Sequence, residues 1–453
     1  MPDITSYNGI DMADIASING QDIASGGAYN PIADTGTYTE ESGTETGVYM
    51  YGGVPTSIGH GNNDSGGYIQ GPVLNFSSDK SGVFPHRKQT GNFHRNWTKF
   101  ETSEHIFAGI DTDGKLWMSA DSTNFVHQTS NSNTLTQATS VTGVSSDTAW
   151  TDVSVGDDFI LAINAGELYV VGENGDGQLG TGNTTDATTL TQIGSDTDWF
   201  KVAAGDDHSV AIKGASGDRS LLTTGENNDG KCGSGDATGD DTSWIERVAA
   251  DAGEDWTFVN ASNRNSLAIL AGKVFMCGDG SDEVQGNNST SDVLTFTQTG
   301  KINSGGDFGT NWVSGATTSR QNSHLINSSN ELWFAGEAST GGRGDASVTD
   351  AKSGYHIKVS GSGAAGGSDA WTLICKQEPS DTQVATYAGI CGGQLFTWGQ
   401  FSSFPQLGHA SKQTGWVTST ATAIANTNTC SYADISEADA DTKRCVVASF
   451  TIT

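Results

Sequence analysis

The sequence is poor in basic residues and in long apolar runs. Its 453 residues include 22 lysines and arginines against 53 aspartates and glutamates, so the net charge is −31. Nucleic-acid binding requires a basic surface, so we expect no nucleic-acid partner. A membrane-spanning helix needs an apolar run of about 18 residues or more, and the absence of one predicts no membrane insertion. The N-terminus lacks the basic and apolar regions of a secretory signal.

Motifs for enzymatic chemistry are also absent. The sequence contains no HExxH, GxSxG or Walker string, so we expect no enzyme, no cofactor and no metal site. The segment Asp111-Thr112-Asp113-Gly114 begins like a calcium loop, but the further ligands and the closing glutamate are missing, which favours a hairpin turn. The Gly-Asp-Asp steps at 156–158 and 205–207 occupy equivalent places in a repeat and predict structural turns.

The six cysteines form no CxxC pair and do not have the spacing of a zinc site. We therefore expect them to be mainly buried, reduced thiols. A disulfide between Cys375 and Cys391, or between Cys430 and Cys445, remains open as an alternative across paired strands.

One unit of roughly 50 residues recurs along the chain and begins each time with a tryptophan. In the second copy an apolar run at 159–163 is followed by a second strand-like run at 166–172. Adjacent residues of that run, Leu168 and Tyr169, are both apolar, so both faces of the sheet must be covered, as in the blades of a propeller. The predicted structural anchors are Trp97, Trp150, Trp199, Trp256, Trp312, Trp371 and Trp416.

The seventh unit lacks its Gly-Leu-aromatic half, and a matching segment occurs at the other end of the chain, at 47–53. We infer that this segment pairs with the C-terminal strands around Cys445 to Phe450, which removes two free sheet edges. The predicted fold is an all-β, seven-bladed β-propeller at 47–453, closed by N- and C-terminal strands. Residues 1–46 are predicted to form an extended N-terminal arm and linker.

The strings Gly172-Glu-Asn-Gly-Asp-Gly-Gln-Leu-Gly-Thr-Gly182 and Gly205-Asp-Asp-His208-Ser209 resemble the regulator of chromosome condensation repeat. The resemblance implies a seven-bladed propeller with a shared closing blade, and it implies that His208 is a structural hydrogen-bonding residue. Founding members of that family bind chromatin and promote nucleotide exchange on a small GTPase. The acidic composition argues against a chromatin role for this chain.

The N-terminal arm contains two similar elements, Ser6-Tyr-Asn-Gly-Ile-Asp11 and Ser17-Ile-Asn-Gly-Gln-Asp22. Their Asn-Gly steps favour tight turns. The arm resembles the N-termini of tailed-phage structural proteins, which implies docking into a particle; the alternative is a frayed terminus. The predicted assembly residues are Tyr7, Asn8, Ile10, Met12, Ile15, Ile18, Asn19 and Ile23.

The sequence thus predicts a non-enzymatic virion protein of a tailed phage, in the tail, the baseplate or on the capsid surface. Its expected partners are other virion subunits, through the arm, and a host surface receptor. One alternative is a soluble cellular propeller that serves as a protein-interaction platform. Another is a carbohydrate-binding propeller.

Overall fold

In its described residues the protein consists mainly of short antiparallel strands. The computed structural model describes backbone and side chains at 97–103, 106–119, 137–138, 147–249, 253–299, 309–317, 322–337, 343, 353–359, 370–374, 387, 389–392 and 398. It describes the backbone alone at 6–7, 10–11, 17–18, 21–22, 45–52, 87–88, 120, 132–136, 386, 388, 394–397, 399, 417–418, 430–438 and 445–452.

Two small hairpins lie in the N-terminal segment. The strands β1 (Ser6–Tyr7) and β2 (Ile10–Asp11) pair with each other, as do β3 (Ser17–Ile18) and β4 (Gln21–Asp22). The two residues between the strands of each hairpin are the Asn-Gly steps at which the sequence predicts tight turns. Of the predicted arm residues, the strands contain Tyr7, Ile10 and Ile18, while Asn8, Met12, Ile15, Asn19 and Ile23 lie outside the described residues.

The other described strands form seven four-stranded antiparallel sheets, six of them built from consecutive strands. The arm is followed by β5 (Glu45–Gly52) and β6 (Arg87–Lys88). Sheet 1 contains β7 (Trp97–Thr102), β8 (Ile106–Asp111), β9 (Leu116–Ala120) and β10 (Ser132–Gln137). Sheet 2 contains β11 (Trp150–Val155), β12 (Phe159–Asn164), β13 (Glu167–Gly172) and β14 (Ala187–Gln192). Sheet 3 contains β15 (Trp199–Ala204), β16 (His208–Lys213), β17 (Ser220–Gly225) and β18 (Asp241–Val248).

Sheet 4 contains β19 (Trp256–Ala261), β20 (Asn265–Leu270), β21 (Lys273–Gly278) and β22 (Val293–Gln298). Sheet 5 contains β23 (Trp312–Thr317), β24 (Asn322–Asn327), β25 (Leu332–Gly336) and β26 (Ser353–Lys358). Sheet 6 contains β27 (Trp371–Ile374), β28 (Thr386–Cys391), β29 (Gln394–Gly399) and β30 (Val417–Thr418). Sheet 7 combines β31 (Cys430–Ala438) and β32 (Cys445–Ile452) with β5 and β6. Short 3-10 turns lie at Asn228–Gly230 and Ser281–Glu283.

The first strand of each sheet lies beside the first strand of the next. Contacts run in order through β7, β11, β15, β19, β23, β27 and β31, and β31 also contacts β7. This succession places the sheets around a common axis with their first strands innermost.

A buried tryptophan begins the first strand in each of sheets 1 to 6. The pairing register shifts directly after each of these tryptophans, which makes the following residue the extra residue of a β-bulge. The buried tryptophans are Trp97, Trp150, Trp199, Trp256, Trp312 and Trp371. Trp416, the seventh predicted anchor, lies outside the described residues.

Apolar side chains fill the space between neighbouring sheets. Tyr169 belongs to a cluster with Ile106 and Met118 of sheet 1, whereas the adjacent Leu168 belongs to a cluster with Trp199 of sheet 3. Both faces of sheet 2 are therefore covered, as the paired apolar positions of the sequence predict.

Sheet 7 joins the two ends of the chain. β5 lies between β32 and β6 and pairs antiparallel with β32 along its whole length, with Tyr51 opposite Val446 and Gly47 opposite Phe450. The predicted pairing of the N-terminal segment with the C-terminal strand is present.

One of the two disulfide pairings left open by the sequence is wrong. In the β31–β32 pair Cys430 lies opposite Ile452, whereas Cys445 lies opposite Ala438. The two cysteines are therefore at opposite ends of the pair, roughly 25 Å apart at the usual rise of a strand. A disulfide requires Cα atoms within about 7 Å of each other.

The thiols of sheets 3 and 4 match the expectation for buried, reduced cysteines. Cys232 and Cys277 are free and buried, and burial raises the pKa of Cys232 to about 12. Cys391 is buried too, but Cys375 lies outside the described residues, so the structure does not test the alternative of a Cys375–Cys391 disulfide.

Candidate interaction surface on the loop-bearing face

The long loops of neighbouring sheets gather at one end of the strands. Because the strands are antiparallel, the turn after each first strand and the loop after each third strand lie at this end, which we call the loop face. In sheets 2 to 4 it comprises residues 156–158, 173–186, 205–207, 226–240, 262–264 and 279–292. Its acidic residues are Asp157, Asp158, Glu173, Asp176, Asp186, Asp206, Asp207, Glu226, Asp229, Asp236, Asp240, Asp279, Asp282, Glu283 and Asp292, and its basic residues are Lys231 and Arg264.

Serine side chains tie each of these loops to the following sheet. The Ser209 hydroxyl of β16 donates a hydrogen bond to the carbonyl of Gln178 in the loop of sheet 2, at 2.7 Å. The equivalent bonds run from Ser266 to the Lys231 carbonyl at 2.7 Å and from Ser323 to the Val284 carbonyl at 2.6 Å. The loops are therefore held in the same place in three successive sheets.

A glycine in each loop packs against the outer strand of the next sheet. Gly180 has a φ of +66°, and a Cβ at this position would lie 2.3 Å from Cδ1 of Trp244. A side chain is thus excluded both by the left-handed backbone and by the indole. The equivalent pairs are Gly233 with Phe296, and Gly286 with His356.

The first strands are linked by side chains that accept backbone N–H groups of the next sheet. The Asp152 carboxylate accepts the N–H of Val202 at 2.9 Å and also the Lys99 ammonium at 2.7 Å. One of these bonds recurs at the same position of the repeat. The side chain of the fifth residue of a first strand accepts the backbone N–H of the sixth residue of the next first strand. The acceptors and donors are Glu101 and Val155 at 3.0 Å, Ser154 and Ala204 at 2.9 Å, and Asn260 and Thr317 at 3.0 Å.

On the loop face, the contact between sheets 3 and 4, which we call junction 3/4, contains two cations among its carboxylates. Lys231 is 2 % exposed; its ammonium pairs with Glu226 and donates to the Asn263 carbonyl at 3.0 Å. The Arg264 guanidinium lies 2.8 Å from the Asp229 carboxylate and 3.8 Å from that of Asp279. Each cation thus lies close to at least one carboxylate.

The contact between sheets 2 and 3, junction 2/3, has no cation at either of these positions. The repeat places Gln178 where junction 3/4 has Lys231, and Asp207 where it has Arg264. Burial raises the pKa of Asp207 to about 6, and Glu226, Asp176 and Glu173 contribute, whereas Lys231 opposes the shift. Burial also raises the pKa values of Glu173 and Asp176. The Asp207 carboxylate therefore interacts electrostatically with several other carboxylates at this junction.

Gln178 leaves a buried donor without an acceptor at this junction. The residue is fully buried, and its Oε1 accepts the N–H of Asp176 at 3.0 Å. The Nε2 of the same amide group has no hydrogen-bond partner in the described part of the chain. A buried polar group in this state costs free energy.

The other candidate residues, His208 and Asp111, make contacts that stabilise the fold. His208 is fully buried, and its Nε2 lies 2.8 Å from the Ser266 hydroxyl of the next sheet. Asp111 accepts the N–H groups of Asp113 and Lys115 at 3.0 Å, so the segment that begins like a calcium loop closes a hairpin turn. Among the described residues, no group of three or more His, Cys, Asp or Glu side chains could hold a metal ion.

Comparison with known proteins agrees with this arrangement of repeats. Residues 165–212, which span parts of sheets 2 and 3, match the family model of the regulator of chromosome condensation (RCC1) repeat. Human WBSCR16 is similar with a TM-score of 0.64 and 14 % identity over 89 % of this chain and 98 % of that one. Prp20p from Saccharomyces cerevisiae is similar with a TM-score of 0.66 and 11 % identity over 90 % and 92 %. The chain is an RCC1-like β-propeller.

At these identities the likeness concerns the fold alone. The RCC1-like propeller has no significant match among curated proteins. No helix in its described part has the length and apolarity needed to cross a membrane.

Sequence reasoning missed the roles of Ser266, Ser323 and Gln178. A signal for the two serines is present, because a serine is the second residue of the second strand in sheets 3, 4 and 5. The wider Gly-x-x-His-Ser string, which is complete in sheet 3, obscures it. The unpartnered Nε2 of Gln178 is noticed only by comparison with its repeat equivalent, Lys231, whose ammonium is paired with Glu226.

Proposed function

We propose that the protein is a non-enzymatic, seven-bladed propeller that serves as a protein-interaction platform through its loop face. The circular succession of first strands supports the blade number. The concentration of carboxylates on loops that hydrogen bonds fix to the neighbouring sheet supports the choice of face. A surface of predominantly negative charge favours a positively charged partner.

The comparison structures are consistent with such a role. The structure of Prp20p was described with its binding properties to Gsp1p and histones, and yeast RCC1 (Prp20) has also been solved bound to Kap60. Those partners belong to those proteins. What we carry over is the use of a propeller of this type as a protein-binding surface.

The test compares charge reversal on the two ends of the propeller. Asp157→Lys with Asp240→Lys changes exposed residues of the loop face, and Asp113→Lys with Asp147→Lys makes the same change in charge at the opposite end. We expect cross-linking in extract of the source cells to identify specific partners that the loop-face variant loses and the control retains. Equal capture by both variants would contradict the proposal.

A second candidate is assembly into a tailed-phage particle through the arm. The two N-terminal hairpins favour this function, because they repeat one element in tandem and belong to none of the seven four-stranded sheets. Deletion of residues 1–40 should then leave a folded propeller that is absent from purified particles. Normal incorporation of the shortened chain would exclude docking through the arm.

A further inference from the structure

A second candidate surface lies beside the central axis, at the end of the propeller opposite to the loop face. We propose that Phe200, Lys201 and Arg219, which we call the axial patch, bind an acidic peptide segment of a partner protein. A carboxylate of that segment pairs with Lys201, and an apolar side chain packs on Phe200. This inference goes beyond the proposed function, because it concerns the other end of the molecule and a partner segment of negative charge.

The axial patch interrupts a pattern at the second residue of the first strands. This residue is exposed in sheets 1 to 6. In four of these sheets it is a threonine whose hydroxyl donates to a carbonyl of the second strand at 3.3–3.4 Å; these are Thr98, Thr151, Thr257 and Thr372. Sheets 3 and 5 instead have Phe200 and Val313, which are 36 % and 48 % exposed. Neither side chain can make the hydrogen bond of the repeat.

Two cations lie on the exposed ring of Phe200. The guanidinium carbon of Arg219 is 3.5 Å from the ring centroid, and the ammonium of Lys201 is 5.6 Å from it. A single exposed ring is ordinary on a protein surface, but a ring that bears two cations is not. The guanidinium of Arg219 is also 3.5 Å from the Asp255 carboxylate, so its charge is compensated. The charge of Lys201 remains.

Lys201 differs from the other lysines with described side chains, because it has no carboxylate partner. Its ammonium makes neither a hydrogen bond nor an ion pair, and its one charged contact is with the Phe200 ring. Each of the others lies within 4.0 Å of a carboxylate; they are Lys99, Lys115, Lys213, Lys231, Lys273 and Lys358. Lys201 is half-buried, so its ammonium is open to a ligand.

The contact between sheets 1 and 2, junction 1/2, shows the partner that Lys201 lacks. Lys99 and Asp152 are the third residues of β7 and β11, and their ammonium and carboxylate lie 2.7 Å apart. Lys201 has the same place in β15, but the third residue of β19 is Phe258. The Asp152 carboxylate, in the sheet before Lys201, is engaged by Lys99 and by the N–H of Val202. A carboxylate supplied by a partner would therefore give Lys201 the contact that Lys99 has.

An acidic peptide suits the axial patch better than a free inorganic anion does. One ammonium offers a single charge, whereas phosphate sites combine several donors. The exposed ring beside Lys201 offers contact area that a peptide side chain can cover and an inorganic anion cannot. The net charge of −31 repels anions at long range, so affinity must come from these short-range contacts.

The test follows a fluorine-labelled peptide by NMR during titration with the full chain in about 0.15 M sodium chloride. The probe is acetyl-Gly-Glu-(para-fluoro-Phe)-Glu-Gly-amide, and its matched control has glutamine in place of both glutamates. We expect the glutamate peptide to bind at least about fivefold more tightly, because it adds an ion pair with Lys201. Non-specific attraction to this acidic protein gives the reverse order. Equal binding, or a preference for the glutamine peptide, would overturn the proposal.

Two variants locate the binding, and a third serves as the control. Lys201→Met should bring the affinities of the two peptides within about twofold of each other, and Lys201→Gln replaces it if it does not fold. Phe200→Thr restores the residue of four other sheets and should weaken both peptides by about threefold or more. Lys115→Met makes the same change in charge at the same end and should retain the preference for glutamate. Loss of the preference in all three variants would show a general charge effect and overturn the proposal.

Titration with sodium phosphate, at ionic strength matched with sodium chloride, separates a free anion from a peptide. We expect phosphate to leave the bound peptide in place. Saturable phosphate binding that displaces the peptide and is lost in Lys201→Met would assign the axial patch to an inorganic anion and overturn the proposal.

Discussion

Asp207 is a residue whose ionisation opposes folding. Its pKa is about 6 in the folded protein and near 3.8 in a free side chain, so the folded state binds the proton more tightly than the unfolded state. The stability that this proton provides is fully present below pH 3.8 and is lost as the pH rises through 6.

Asp207→Asn should therefore stabilise the protein at pH 8. We expect a gain of about 1–2 kcal/mol after allowance for partial exposure to solvent, and we expect it to vanish near pH 4. Chemical denaturation at both pH values measures the difference. A gain of the same size at pH 4 would show that removal of the charge is not the cause.

His356 has the opposite pH dependence. Burial, together with a smaller contribution from His324, lowers its pKa to about 3, so the unfolded state binds the proton more tightly. Stability is present above pH 6.5 and is lost as the pH falls toward 3, by about 1.4 kcal/mol per pH unit.

His356→Phe should remove this part of the acid sensitivity, because a phenylalanine, Phe296, occupies the equivalent place in sheet 4. The measurement is the free energy of unfolding of variant and wild type between pH 7 and pH 4. The two curves should converge or cross as the pH falls. Parallel curves would mean that His356 does not titrate between the folded and unfolded states.

At the scale of the structural element, the loops behave as connectors between sheets. Gly180→Ala should cost about 2–5 kcal/mol, because it combines a left-handed backbone with displacement of Trp244. Gly194→Ala is the matched control: its φ is +62° and nothing lies within 4 Å of the added Cβ. The control should cost about 1–2 kcal/mol. Equal losses in urea denaturation would show that contact with the indole has no effect.

The strands could be predicted from the sequence because their signals are local. The tryptophan that begins each first strand, and adjacent apolar pairs such as Leu168 and Tyr169, recur at a regular period that is visible within this single sequence. The contacts at the junctions could not be predicted, because they join residues about one repeat apart whose identities differ between copies. The incorrect Cys430–Cys445 pairing has a similar origin, since sequence separation does not set the register of a hairpin.

For the whole molecule, closure of sheet 7 is the feature with the largest expected effect. Deletion of residues 1–52 removes β5, which leaves an edge of β32 without its partner. The melting temperature should fall clearly, whereas deletion of residues 1–40 should leave it unchanged because β5 is retained. Differential scanning calorimetry of the two shortened chains tests this. Equal melting temperatures would show that β5 does not stabilise the ring.

The pairing of β5 with β32 also has a consequence for biosynthesis. Roughly 390 residues must be translated after Gly52 before Cys445 emerges, which takes about 20–80 s at ordinary elongation rates. During this interval the nascent chain carries the first half of its final sheet without its main partner. Sheet 7 therefore cannot be completed until β32 has been translated, and a chaperone that shields β5 would act on the growing polypeptide during that time.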